Sequence, residues 1–197
     1  MRIKTMKIID PEKIQQRARL LAALNEDPQV GRASDLLAAA LQKGGKVLVF
    51  GNGGSATQSS HFAAELVNKF YFRRQALPVL ALNADMANVT SIANDEDFKF
   101  IFSRQVEAFG GKGDVALGIT TSGRSANILQ ALAKAREREM MTIALAGSQG
   151  ERLRAVPVDV LVVVDAQDTP TIQEMHLFLL HVMAETVEKK LFGGQHG

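Results

Sequence analysis

Two short loops and one helical spacing hold the side chains of this sequence that could do chemistry. The first loop is Gly51-Asn52-Gly53-Gly54-Ser55, which follows a short apolar run and precedes a helical pattern. Glycines let the backbone turn sharply and approach a ligand closely. The unpaired N–H groups and positive dipole end of the next helix favour a phosphate, and Ser55 adds a hydroxyl. The second loop is Thr120-Thr121-Ser122-Gly123-Arg124-Ser125, with four hydroxyls in six residues at another strand-to-helix junction. Either loop alone also reads as an ordinary capped turn. Two of them at the carboxyl ends of parallel strands sit where open α/β sheets bind ligands.

Neither loop is a Walker A motif, because Lys46 lies before the strand rather than after the glycines. Nor is the first a G-x-G-x-x-G fingerprint, since Ala56 holds the third glycine position. Both absences argue against nucleotide hydrolysis and dinucleotide binding.

The chain has four histidines: His61, His176, His181 and His196. His61 and Glu65 stand at i, i+4 on the helix that starts at the glycine loop. This spacing puts both on one face, about 6 Å apart along the axis. Such a pair can bind a divalent metal or act as an acid–base couple, and it also reads as a plain surface hydrogen bond. The last helix carries Gln173, Glu174, His176 and His181. Gln173 and His181 are about 12 Å apart along that helix. They reach one metal only if both side chains bend together or if they come from different subunits. His176 reads as structural, and His196 is expected in a disordered Gly193–Gly197 tail.

These groups need a scaffold. Valine-rich strands are expected at Val47–Phe50, Val79–Leu82, Val115–Ile119, Thr142–Ala146 and Val158–Val164, continuously apolar rather than alternating. Helical patterns lie between them at Ser55–Lys69, Met86–Ala93 with Ile101–Phe109, Asn127–Arg138 and near Arg152, and a long one runs from Thr169 to Leu191. Two more precede the first strand, one opened by Asp10-Pro11 and one from about Gly31 to Lys43. The order implies a three-layer α/β/α sandwich over a five-stranded parallel sheet, flavodoxin-like, in one domain over residues 1–197. Long apolar helices at both ends suggest self-association.

Composition narrows the class. Apolar residues make up 46% and charged ones 22%, enough for a core and against overall disorder. A formal charge of only +2, without runs of like charge, gives no nucleic-acid footprint. The absence of cysteine excludes disulfides, thiolate metal sites and cysteine nucleophiles. The scattered charges of the first residues do not read as a signal peptide, and no apolar run is long enough to span a bilayer. A cytoplasmic protein without membrane contact is expected.

With these segments in view, the sequence resembles the sugar isomerase (SIS) family and, within it, the phosphoheptose isomerases. The matching stretches are GNGGSATQSSHFAAEL at 51–66, LP at 77–78, ANDEDF at 93–98, RQVEAFG at 104–110, GDV at 113–115, TTSGRSANIL at 120–129 and DTPTIQEMHLFLLH at 168–181. The resemblance implies an isomerase that converts D-sedoheptulose 7-phosphate to D-glycero-D-manno-heptose 7-phosphate through an enediol, for bacterial surface heptose. It implies that Asn52, Gly53, Gly54, Ser55, Thr120, Thr121, Ser122 and Ser125 hold the phosphate and adjacent hydroxyls, with Asn94, Asp95 and Asp168 as sugar contacts. By the same resemblance His61, Glu65, Gln173 and His181 bind one Zn2+ per subunit, Glu65 and His181 are catalytic, and Glu65 and Gln173 also meet substrate. It further implies a homotetramer with active sites between subunits and the N-terminal helices in its interface. Thr120, Arg124 and Ala126 depart from the common pattern. The alternatives are a non-catalytic SIS tetramer serving as a protein-binding scaffold of the DnaA-initiator-associating type, or another ketose-phosphate isomerase. The presence of both Glu65 and His181 favours the enzyme over the scaffold.

Overall fold

The computed structural model describes residues 10–150, 153 and 156–193. The helix expected near Arg152 and the expectation for His196 lie outside the described residues. Helix α1 (Pro11–Glu26) starts where Asp10 accepts a hydrogen bond from Glu12 N at 2.9 Å, with proline at the first position. The same device opens α2 (Pro28–Gln42): Asp27 caps Gln29 N at 2.9 Å. Helix α2 thus begins three residues before Gly31, the expected start, because an Asp-Pro pair presets the first helical φ and supplies the cap acceptor.

The remaining elements alternate. Strand β1 (Val47–Gly51) leads to α3 (Gly54–Val67), then β2 (Val79–Ala81), α4 (Met86–Asp95), a 3₁₀ turn at Phe98–Phe100 and α5 (Ser103–Phe109). Strand β3 (Val115–Thr120), α6 (Ala126–Glu137), β4 (Met141–Gly147), β5 (Val160–Val164) and α7 (Thr169–Phe192) complete the order. Strand β5 starts two residues later than expected. Asp159 accepts hydrogen bonds from Thr142 N and Oγ1, both at 2.8 Å, and the ladder with β4 opens only at Val160.

All four strand pairings are parallel, in the order β2-β1-β3-β4-β5. The expected five-stranded parallel sheet with two preceding helices and a long terminal helix is therefore present. Every residue of β1 and β3 is buried, which explains why they read as unbroken apolar runs. Their side chains alternate between two cores. Val47 and Val49 join Phe62, Leu66, Leu180 and Val187 on the face covered by α2, α3 and α7. Leu48 and Phe50 join Phe102, Ile128 and Leu132 on the opposite face. From β1 the chain moves outward to β2, then returns to the other side of β1 with β3. The strand order reverses between β1 and β3, and open α/β sheets leave a ligand crevice at such a point.

Candidate functional site: an anion cradle and a His-Glu-His cluster

The crevice lies at the reversal. A cavity of roughly 290 Å³ is lined by Asn52, Gly53, Gly54, Ser55, Ile119, Thr120, Thr121, Ser125, Thr169 and Gln173. Both glycine-containing loops thus open into one space, joined by the start of α7. Gly53 has φ +55, a conformation that strains any side chain. No side chain caps α3 at Gly53 or α6 at Ser125. The first turns of both helices keep N–H donors for a ligand, and their dipoles place positive potential on the cavity. No acidic or basic side chain lines it, so it fits an oxyanion held by neutral donors.

The second loop is built to stay open. Gly123 has φ +64, and its backbone N–H donates to Thr120 Oγ1 at 3.2 Å. Asn52 and Asn127 exchange two amide hydrogen bonds of 2.9 and 2.8 Å between the loops.

Away from the cavity, α3 and α7 run side by side. Gln58 Nε2 donates to the Gln173 carbonyl at 2.7 Å and ties the helices together. Beyond it, His61 Nε2 stands 2.8 Å from His181 Nε2 and 3.4 Å from Glu65 Oε1. The three ligand atoms lie within 4.8 Å of one another, all in one chain. Donor atoms around a tetrahedral zinc, each about 2.0–2.2 Å from it, stand about 3.3 Å apart. The His61–Glu65 separation meets that value, and the two imidazoles need to part by only about half an ångström. The set could therefore hold a metal ion.

A buried ion pair fixes the far side of this cluster. Arg74 and Glu188 have side chains with no exposure, 3.2 Å apart. Glu188 also accepts from the backbone N–H groups of Phe70 at 2.9 Å and Tyr71 at 2.7 Å. Burial pushes its pKa up, but those N–H groups and the Arg74 guanidinium outweigh it and hold the carboxyl below its ordinary value. Arg74 donates in turn to the carbonyls of Leu66 at 2.6 Å and Glu65 at 2.9 Å. The backbone of Glu65 is thereby clamped from α7.

Other expected site residues stand elsewhere. Asp168 caps α7, accepting from Thr171 N at 3.0 Å, and the Thr171 hydrogen bonds keep it below the usual carboxylate range. Asn94 and Asp95 lie exposed at the end of α4, where Asn94 Nδ2 donates to Asp95 Oδ1 at 2.7 Å. Neither they, Ser122 nor Asp168 lines the loop cavity. The amide of Gln173 sits over Gly54, so close that a Cβ there would be 2.4 Å from Gln173 Nε2. In this structure it belongs to the loop end of the α3–α7 face. His176 is fully buried, with both ring nitrogens lacking a well-formed hydrogen bond. Burial lowers its pKa to about 4, with the Ala146 backbone acting weakly in the opposite sense. As expected, it is a core residue.

Sequence reasoning missed Gln58, Asn127 and the Arg74–Glu188 pair. Gln58 and Asn127 lay inside quoted motifs without a role of their own, Asn127 only as a helix-start residue. Nothing in the sequence singled out Arg74 and Glu188.

An α/β protein with two uncapped helix starts at a sheet reversal and a His-Glu-His cluster beside them belongs to the class that binds small anionic substrates. Residues 13–147 match the SIS domain. A phosphoheptose isomerase of Geobacter sulfurreducens is 45% identical over 94% of this chain and the whole of its own length. One from Thermodesulfovibrio yellowstonii is 47% identical, covering 83% of this chain and 81% of its own. The solved structure of the Neisseria gonorrhoeae phosphoheptose isomerase superposes with a TM-score of 0.83 at 37% identity, covering 90% of this chain and 96% of that one. The chain belongs to the SIS-domain family and, within it, to the phosphoheptose isomerases.

Proposed function

We propose that this protein isomerises D-sedoheptulose 7-phosphate to D-glycero-D-manno-heptose 7-phosphate, supplying heptose for a bacterial surface polysaccharide. The observation that carries the reading is the shared α3–α7 face, with the oxyanion cradle at one end and Glu65 and His181 at the other. His61 lies about 10 Å beyond Gly54 along α3. That separation suits a ketose with its phosphate and its carbonyl at opposite ends of the carbon chain.

The phosphate is assigned to the backbone N–H groups of residues 53 and 54 and the hydroxyls of Ser55, Thr120, Thr121 and Ser125, and by the resemblance alone to Ser122. Asn94, Asp95 and Asp168 are assigned to the sugar hydroxyls. Glu65 takes a proton from C1 of the open-chain ketose and returns one to C2. His181 protonates O2 as the enediol forms and takes the proton from O1 as the aldehyde appears. Each positioned acid or base of this kind contributes about 10²–10⁴-fold. His61, Glu65 and His181 would hold a Zn2+, with Gln173 as a fourth ligand once turned from Gly54 toward them, and Glu65 and His181 would alternate between holding the ion and moving the protons named above. A bound Zn2+ supplies Lewis-acid polarisation of the carbonyl and hydroxyl oxygens.

A homotetramer is part of this proposal. Ile14 on α1 and Phe178 on α7 are exposed apolar side chains, which fits burial of those helices against another copy. Purified protein given sedoheptulose 7-phosphate should form the aldose, and a chelator should reduce the rate. Tight binding to an initiator protein without turnover would instead establish the scaffold alternative.

A further inference from the structure

Asn127 is 2% exposed at the start of α6, where an apolar residue would pack at less cost. A buried amide is stable only if its donors and acceptors are met. Here they are met almost wholly by one partner. Asn127 Nδ2 donates to Asn52 Oδ1 at 2.8 Å, and Asn127 Oδ1 accepts from Asn52 Nδ2 at 2.9 Å and from Ile128 N at 3.0 Å. The pair bridges 75 residues of sequence. The β1–β3 register ends at Gly51 opposite Ile119, so one residue past it the ladder no longer spaces the two chains. Among the described residues, no other side-chain hydrogen bond joins the 51–55 loop to the 120–127 segment.

Two parallel hydrogen bonds between planar amides restrict both distance and rotation. Because the Asn52 carbonyl also accepts from Ser55 N at 3.0 Å, the restriction passes into the turn that aims the first N–H groups of α3. Asn52 itself lines the cavity, so the restraint acts at its wall.

We propose that Asn127 is a positioning residue that sets the gap between the two halves of the oxyanion cradle, acting through Asn52. The proposal rests on the cradle being the phosphate site of the reading above. The gap matters because one anion must be reached by donors from both helix starts at once. Fixing it in advance leaves less ordering to be done on binding.

The test uses the full chain with Asn127→Ala, the similarly sized Asn127→Leu, Asn52→Ala and the double alanine variant. Inorganic phosphate is the probe, measured by calorimetry and as a competitive inhibitor, beside melting temperature and isomerase kinetics. Phosphate binding should weaken about tenfold in each single variant, with KM rising in step and kcat holding within about twofold. The double variant should be no worse than either single one, the mark of two groups acting as a unit. Unchanged phosphate affinity alongside a lowered melting temperature would make the pair merely structural and overturn the proposal. So would losses that multiply in the double variant, or a wild-type protein that does not bind phosphate. Phosphate binding without sedoheptulose 7-phosphate turnover would sink the functional reading while the variants still tested the pair.

Discussion

Replacing Glu188 by glutamine changes one atom type at a buried position where both carboxylate oxygens are hydrogen-bonded. The side chains of Glu188 and Arg74 are both without exposure. The substitution leaves the guanidinium buried beside a neutral amide. It also turns an N–H group toward either Phe70 N or Tyr71 N, each of which now donates to a carboxylate oxygen. Removing one member of a buried pair costs about 3–5 kcal/mol, because the other charge stays desolvated. For a chain of this size each kcal/mol moves the melting temperature by about 2–4 °C, so Glu188→Gln should melt roughly 10 °C lower. Pairing it with Arg74→Met should not restore stability fully, because the Leu66 and Glu65 carbonyls would lose their donor. The acid limb gives a second reading. A carboxyl held below its ordinary value contributes stability above its unfolded pKa, near 4.5, and loses that contribution as pH falls through the folded one. The variant should therefore show a shallower loss of stability in acid. Urea titrations from pH 7 to pH 3 measure both effects. A variant within about 0.5 kcal/mol of wild type at pH 7 would refute the argument, since that is the range of neutral surface changes.

Three further outcomes are expected. Glu65→Gln keeps an oxygen donor but no base, so turnover should fall by about 10²–10⁴-fold while metal content, read by elemental analysis, is retained; loss of both would make Glu65 chiefly a ligand. His176 is held neutral to about pH 4 against 6.5, so its contribution is complete above pH 6.5 and should decline by about 3 kcal/mol as pH falls to 4. His176→Leu should flatten that window in a denaturation series. Gly123→Ala meets both a positive φ and the Gly150 backbone at 2.4 Å, so it should raise KM and cost at least about 1 kcal/mol in urea unfolding.

Much of the scaffold was legible because its signals are local. The valine runs, the strand-to-helix glycines and the Asp-Pro start of α1 each act within a few residues. The missed start of α2 was also local, since Asp27-Pro28 repeats the sign read at Asp10-Pro11. Val158 misled because a β-branched residue beside a strand looks like part of it, while Asp159 fixes the real boundary through Thr142. The site was legible only in halves. His61 and Glu65 share a face by helix periodicity, but their meeting with His181 depends on how α3 packs against α7. That packing is set by contacts such as Gln58 with Gln173 and Arg74 with Glu188, separated by 115 and 114 residues. The spacing of Gln173 and His181 pointed to bending or to separate subunits. In this chain Gln173 lines the cradle, while His181 stands beside His61.

Helix α7 follows every other described element, and it carries both His181 and Glu188. In chain order both glycine turns therefore precede the third member of the imidazole and carboxylate cluster. Until the segment around 173–188 leaves the ribosome and docks, His61 and Glu65 offer an incoming cation only two donors.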